Sequence, residues 1–214
     1  MHLRGPIMRR ILLALFLIGV FSPELGAEDA TARYEALVKI ALQGDQPVDW
    51  QALRFAYAET PGFDPLGAVT ADKRKKMFAA YAARDYATAL AEAQQILGEN
   101  YTDIAAHMIS DYAYHYLGDD TRARQQGDIA IALLKSIRTG DGHTPAAALT
   151  VISVTEEYDF LHYLKYEPRQ QALISQGGHS YDRFEVERDQ QSYSLYFLVD
   201  RVLAAEAALF KPKP

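Results

Sequence analysis

Two stretches of this chain repeat at a fixed distance. Tyr81-Ala82-Ala83-Arg84-Asp85-Tyr86 leads to Ala89, and Tyr116-Leu117-Gly118-Asp119-Asp120 leads to Ala123. Asp85 and Asp119 stand 34 residues apart, and so do Ala89 and Ala123. A short polar turn followed by a small residue four positions on is what two close-packed antiparallel helices need. The turn reverses the chain, and the small side chain lets the second helix approach the first. Helices are therefore expected near 71–83, 86–98, 101–117 and 120–138.

The period and the turn resemble the tetratricopeptide repeat, over roughly half of the chain beyond its leader. Met77 and Asp111 depart from that pattern, standing where the repeat has a small residue, and the usual proline before the next unit is absent. Two units do not bury their own faces, since about three are needed. Other parts of the chain must cap the stack. Upstream, Tyr34, Leu37, Val38 and Ala41 recur at helical spacing, and Asp49 is a good N-cap for a helix carrying Trp50, Leu53, Phe55 and Tyr57. Lys73-Arg74-Lys75-Lys76 reads as the solvated first turn of a helix.

Beyond Arg138 the pattern changes. Gly140-Asp141-Gly142 is expected to end the last repeat helix, with Gly140 at the C′ position. Leu149–Thr155 is β-branched and reads as a strand, and Glu156–Lys165 as a helix with Tyr158, Leu161 and Leu164 on one stripe. Gln171–Gln176 and Ser180–Arg188 flank Gly177-Gly178, a two-residue hairpin turn in which both glycines tolerate positive φ. Phe184 and Val186 should point inward, opposite Arg183, Glu185 and Glu187. Tyr193–Val199 is apolar on both faces and reads as a central strand, and Arg201–Phe210 as a closing helix. The expected class is α+β: N-terminal tetratricopeptide-like helical hairpins packed against a small C-terminal antiparallel sheet. One domain should span 28–214, helical over 28–138 and sheet-forming over 146–200.

Residues 1–27 read as a secretory signal peptide: a basic start (Arg4, Arg9, Arg10), an apolar run from Ile11 to Phe21 and a Leu25-Gly26-Ala27 end. The run is too short to cross a bilayer, which takes about 20 residues. Without the three arginines and Glu24 of that leader, 19 basic residues face 27 acidic ones, a net charge of −8. An acidic chain without a Lys/Arg block argues against nucleic acid as a partner. There is no cysteine, so neither a lipid-anchored N-terminus nor thiol chemistry is available. The expected compartment is periplasmic or extracellular.

Ala106-His107, Gly118-Asp119, Ser136-Ile137, Gly140-Asp141-Gly142, Val151-Ile152, Glu156-Glu157-Tyr158 and Tyr181-Asp182 follow one another in an order that resembles a bacterial exported family, domain of unknown function forty-nine nineteen. The resemblance runs from about Tyr34 to Val199. It implies an exported single-domain protein with no assigned activity, and it carries over no catalytic residue.

Asp103, His107, Asp111 and His115 lie at i, i+4 steps on one helix, but each step drifts round the axis by about 40°, so four such residues cannot meet one ion. His107, beside Ala105 and Ala106, should be buried. Asp141 can bind backbone amides or a cation; it lacks the further acidic oxygens of a calcium loop. Glu156 and Glu157 offer two carboxylates, with His179 and Asp182 on the following hairpin as acid–base or metal partners. The alternative for the pair is charge at a helix N-terminus, stabilised by the dipole. Tyr112 and Tyr116 share a helix face and suit a binding surface. Phosphate loops, dinucleotide fingerprints, HExxH and GxSxG are all absent, so no cofactor is expected and the balance leans away from an enzyme. The leading expectation is a protein- or peptide-binding module of the cell envelope. The alternative is a metal-dependent hydrolase at the helix–sheet junction.

Overall fold

The computed structural model describes residues 23–44 and 46–210. The expected leader therefore lies, up to residue 22, outside the described residues. Among the described residues eight α-helices and four strands follow in order: α1 (Pro23–Gln43), α2 (Trp50–Ala58), α3 (Ala71–Ala82), α4 (Tyr86–Glu99), α5 (Ile104–Tyr116), α6 (Asp120–Ile137), β1 (Leu149–Thr150), α7 (Val154–Tyr163), β2 (Glu167–Gln176), β3 (His179–Arg188), β4 (Gln191–Leu198) and α8 (Asp200–Leu209), with one 3-10 turn at Pro145–Ala147. The class is α+β, as the sequence leads one to expect.

The 34-residue repeat becomes two helical hairpins, α3–α4 and α5–α6. Asp49, Asp85, Asp103 and Asp119 cap α2, α4, α5 and α6, each accepting a hydrogen bond from the backbone N–H three residues on, at 2.8–3.1 Å. Each such cap contributes about 1 kcal/mol. Ala89 and Ala123 are buried at the helix contacts. Asp111, the departure from the small-residue pattern, is accommodated from the other side. It faces Gly127 of α6, where a Cβ would sit 2.8 Å from its carboxylate. The turns also correspond: Gly118 has φ +87° and Arg84, its counterpart 34 residues earlier, φ +61°.

The cap arrives from an unexpected direction. The chain's first hairpin, α1–α2, packs not on α3 but on α6, so the helices stack as α3, α4, α5, α6, α2, α1. Leu53 of α2, Leu133 and Ile137 of α6, Phe160 and Leu161 of α7, and Phe184 and Phe197 of the sheet share one core.

The sheet runs β1-β4-β3-β2. β2, β3 and β4 are antiparallel, whereas β1 pairs with β4 in parallel, Leu149 opposite Phe197. The expected antiparallel sheet is thus a mixed one, because β1 is separated from its partner by α7 and a whole hairpin rather than by a turn. Gly177 and Gly178 form the hairpin turn, with φ +62° and +83°. Phe184 and Val186 are buried as expected.

Three local expectations are corrected. The strand from Leu149 stops at Thr150, because Ser153 caps α7 by accepting from Glu156 N–H at 3.3 Å and the chain turns helical at Val154. On that helix Tyr158 is exposed while Glu157, Phe160 and Leu161 are buried, so the inward stripe is displaced from the one read in the sequence. α6 ends at Ile137 without a glycine C′. Gly140 is needed instead for a close approach: a Cβ there would lie 2.2 Å from the Ala147 carbonyl oxygen. Gly142, at φ +81°, donates to that carbonyl at 2.8 Å.

Candidate binding groove

The faces of α3 and α5 that turn away from α4 and α6 are only partly covered. Arg74, Phe78 and Tyr81 project from α3 at i, i+4, i+7, and Met108, Ile109 and Tyr112 from α5. Opposite stand Tyr158, Leu161, His162 and Tyr163 of α7, then Lys165 and Tyr166 of the turn after it, and Pro168 and Arg169 at the start of the edge strand β2. Between these walls lies a groove of about 1110 Å³. Tyr163 packs against the core clusters on both sides, and burial raises its phenol far above the usual range. Phe78 and Tyr112 are each 38 % exposed and Tyr158 45 %. A second row of rings continues outside: Tyr112 lies 5.7 Å from Tyr81, Tyr81 6.2 Å from Tyr86, and Tyr86 stacks on Tyr116 at 4.3 Å.

Charged side chains fix the walls. Arg74 bridges Asp103 of α5 at 2.6 Å and Asp159 of α7 at 2.7 Å, holding three helices together at one end of the groove. Burial pushes the Asp159 carboxyl up, against the pull of the Arg74 guanidinium. Lys73 reaches Glu99 at 2.6 Å. The basic run at the start of α3 is therefore not simply solvated: Lys73 ties α3 to α4 within its own hairpin, and Arg74 ties it to α5 and α7. Deeper still, Arg54 is fully buried. Its Nε and Nη2 each donate to Glu156 at 2.6 Å, Nη2 also to the Thr150 carbonyl at 2.8 Å, and Nη1 to Ser136 Oγ at 3.2 Å. Glu156 in turn accepts from Ile152 N–H at 2.8 Å. This node joins α2, α6, β1 and α7. A smaller cavity of about 250 Å³ adjoins it, walled by Asp64, Thr70, Thr102, Asp103 and Ser153.

Arg54 escapes a reading of the sequence because its partners are about a hundred residues away. One local signal exists: it stands four residues after Trp50 and three before Tyr57, on the buried stripe, where a charge must have a partner.

The residues singled out as catalytic candidates separate. Glu156 is bound to Arg54. His179 is exposed on the hairpin and pairs with Asp200 at 2.6 Å. Only Glu157 and Asp182 come together. Glu157 is fully buried, and neither of its oxygens meets an N–H or O–H donor. Burial first, then the Asp182 carboxylate beside it, pushes Glu157 up to about 9. At neutral pH Glu157 is thus an uncharged acid whose O–H donates to Asp182, which also accepts from Gln171 Nε2 at 2.7 Å. It lines neither cavity described above. Among the described residues no group of three or more His, Cys, Asp or Glu stands where it could hold a metal ion.

The polar helix face also divides. Asp103 caps α5 and binds Arg74, while His115 pairs with Asp120 at 2.8 Å. His107 is fully buried as expected, its Nε2 2.9 Å from the Tyr101 carbonyl and its Nδ1 2.6 Å from Gln126 Oε1. Burial pushes its pKa down. Asp141 is exposed and accepts from His143 N–H at 2.9 Å, a local turn bond. Of the four binding candidates, Tyr112 lines the groove, Tyr116 extends it, and His107 and Asp141 do neither.

Residues 28–208 match the family described as a domain of unknown function, DUF4919. The chain belongs to this family. No curated protein and no solved structure matches it. Among the described residues no helix is long and apolar enough to cross a membrane.

Proposed function

We propose that this DUF4919 protein is a peptide- or protein-binding module, exported to the cell envelope, and that its ligand lies in the groove between α3–α5 and α7–β2. The observation that carries this is an open groove with exposed aromatic rings on both walls, in a fold whose other polar clusters are internally paired. Exposed Tyr and Phe on rigid helices supply contact area at low entropic cost. The walls are braced by buried ion pairs, so the groove needs little ordering before it binds. The hydrolase alternative has no comparable support, since Glu156, Glu157, His179 and Asp182 are divided among three places.

The test is selection of a phage-displayed random peptide library on the immobilised chain lacking residues 1–27. Peptides that bind the parent and weaken tenfold or more against Tyr112→Ala support the groove. A library that yields no peptide, or only peptides indifferent to Tyr112→Ala, contradicts it.

A further inference from the structure

The rings of the groove continue as a ladder, Tyr112, Tyr81, Tyr86, Tyr116, whose first two spacings are 5.7 and 6.2 Å. A polyproline II strand advances about 3.1 Å per residue, so every second residue advances about 6.2 Å. Such a strand has no internal hydrogen bonds and must have its carbonyls solvated or met by donors. Among the described residues, none of these four phenol hydroxyls is engaged in a hydrogen bond with the protein, and each can donate one. The other common way to hold an extended peptide, adding it to a sheet edge, is obstructed where β2 borders the groove. Pro168 has no N–H there, and the strand is irregular between Pro168 and Gln170. Lys165, at the groove's α7–β2 end, is exposed in a left-handed turn (φ +60°). Among the described residues no carboxylate lies within ion-pair range of it, whereas Arg169 nearby is shared by Glu167 and Glu187. In a chain of net charge −6, this is an unpaired cation beside an aromatic surface.

We propose that the ligand is a proline-rich peptide in the polyproline II conformation with an acidic residue placed to reach Lys165. The inference rests on the peptide-binding reading and gives it a chemical class. Flat phenol rings take proline rings with little loss of freedom, because the ligand is already extended. The acid gives polarity, fixing which end of the peptide meets β2.

The experiment is fluorescence anisotropy on the chain lacking residues 1–27, with three labelled synthetic peptides: a proline-rich peptide ending in glutamates, the same with alanine for proline, and the same with lysine for glutamate. The expected result is saturable binding of the first, at least tenfold weaker binding of the other two, and loss of the preference for glutamate over lysine in Lys165→Glu. Tyr116→Ala, at an exposed position, should weaken the first peptide severalfold while circular dichroism is unchanged. Equal binding of the alanine peptide, or preferential competition by an N-acetylglucosamine oligosaccharide, overturns the inference. Proline-free peptides from the library that depend on Tyr112 overturn it while leaving the peptide-binding reading in place. Failure of every peptide, library included, overturns both.

Discussion

Glu157→Gln should make this protein more stable at alkaline pH. The folded chain holds a proton on Glu157 up to about pH 9, whereas the unfolded chain releases it near 4.5. Between those values the native state binds one more proton than the unfolded state, so each pH unit costs about 1.4 kcal/mol of stability. The contribution is complete below the unfolded value and is lost as pH rises through the folded one. From pH 5 to pH 8 this one group removes on the order of 4 kcal/mol. Glutamine has the same shape, does not titrate, and offers an amide N–H to Asp182 where the acid offers its O–H. The variant and the parent should therefore be similar near pH 5, with Glu157→Gln several kcal/mol more stable at pH 8. Urea unfolding followed by far-UV circular dichroism at half-unit pH intervals reads the difference. Other buried carboxyls such as Asp159 titrate in both proteins, so the difference isolates Glu157. Parallel pH profiles, or a variant less stable at pH 8, would refute the neutral buried acid.

Other perturbations have equally definite outcomes. Arg54→Met should cost about 3–5 kcal/mol in urea unfolding, because it strands the Glu156 carboxylate without its partner, and Arg54→Met with Glu156→Leu should recover much of that loss. Gly140→Ala should lower the thermal midpoint, with a loss of about 1–3 kcal/mol, since its Cβ would meet the Ala147 carbonyl at 2.2 Å; an unchanged midpoint would mean that the 138–148 loop shifts freely. Arg84→Gly should raise stability by up to about 1 kcal/mol, because Arg84 holds a left-handed conformation that Gly118 occupies in the next repeat.

The helical half was legible because its determinants are local. A 34-residue offset, an aspartate cap and an alanine at the contact all lie within a few residues of the structure they specify. The Gly177-Gly178 hairpin was legible for the same reason. At Val151–Thr155 β-branched residues favour a strand, but the Ser153-to-Glu156 spacing is also a helix start, and Arg54 settles the choice by binding Glu156 from 102 residues away. No local pattern carries that information. The groove was half legible: Tyr112 and Tyr116 were identifiable as a shared face, but Phe78 joins them through the packing of α3 on α5, and Tyr158 and Tyr163 only through the packing of α7 on α5. Glu157 was identifiable as an unusual acid by its neighbour. That it would sit beside Asp182, with His179 turned to Asp200, depends on the β2–β3 register.

Amide hydrogen exchange with a library-selected peptide shows whether the groove between α3–α5 and α7–β2 is where the ligand lies. Peptide binding should slow exchange in residues 74–81, 108–116 and 158–169, and Tyr112→Ala should abolish the change at the same peptide concentration. Protection confined to α1 and α2, or none at saturation, would contradict that placement.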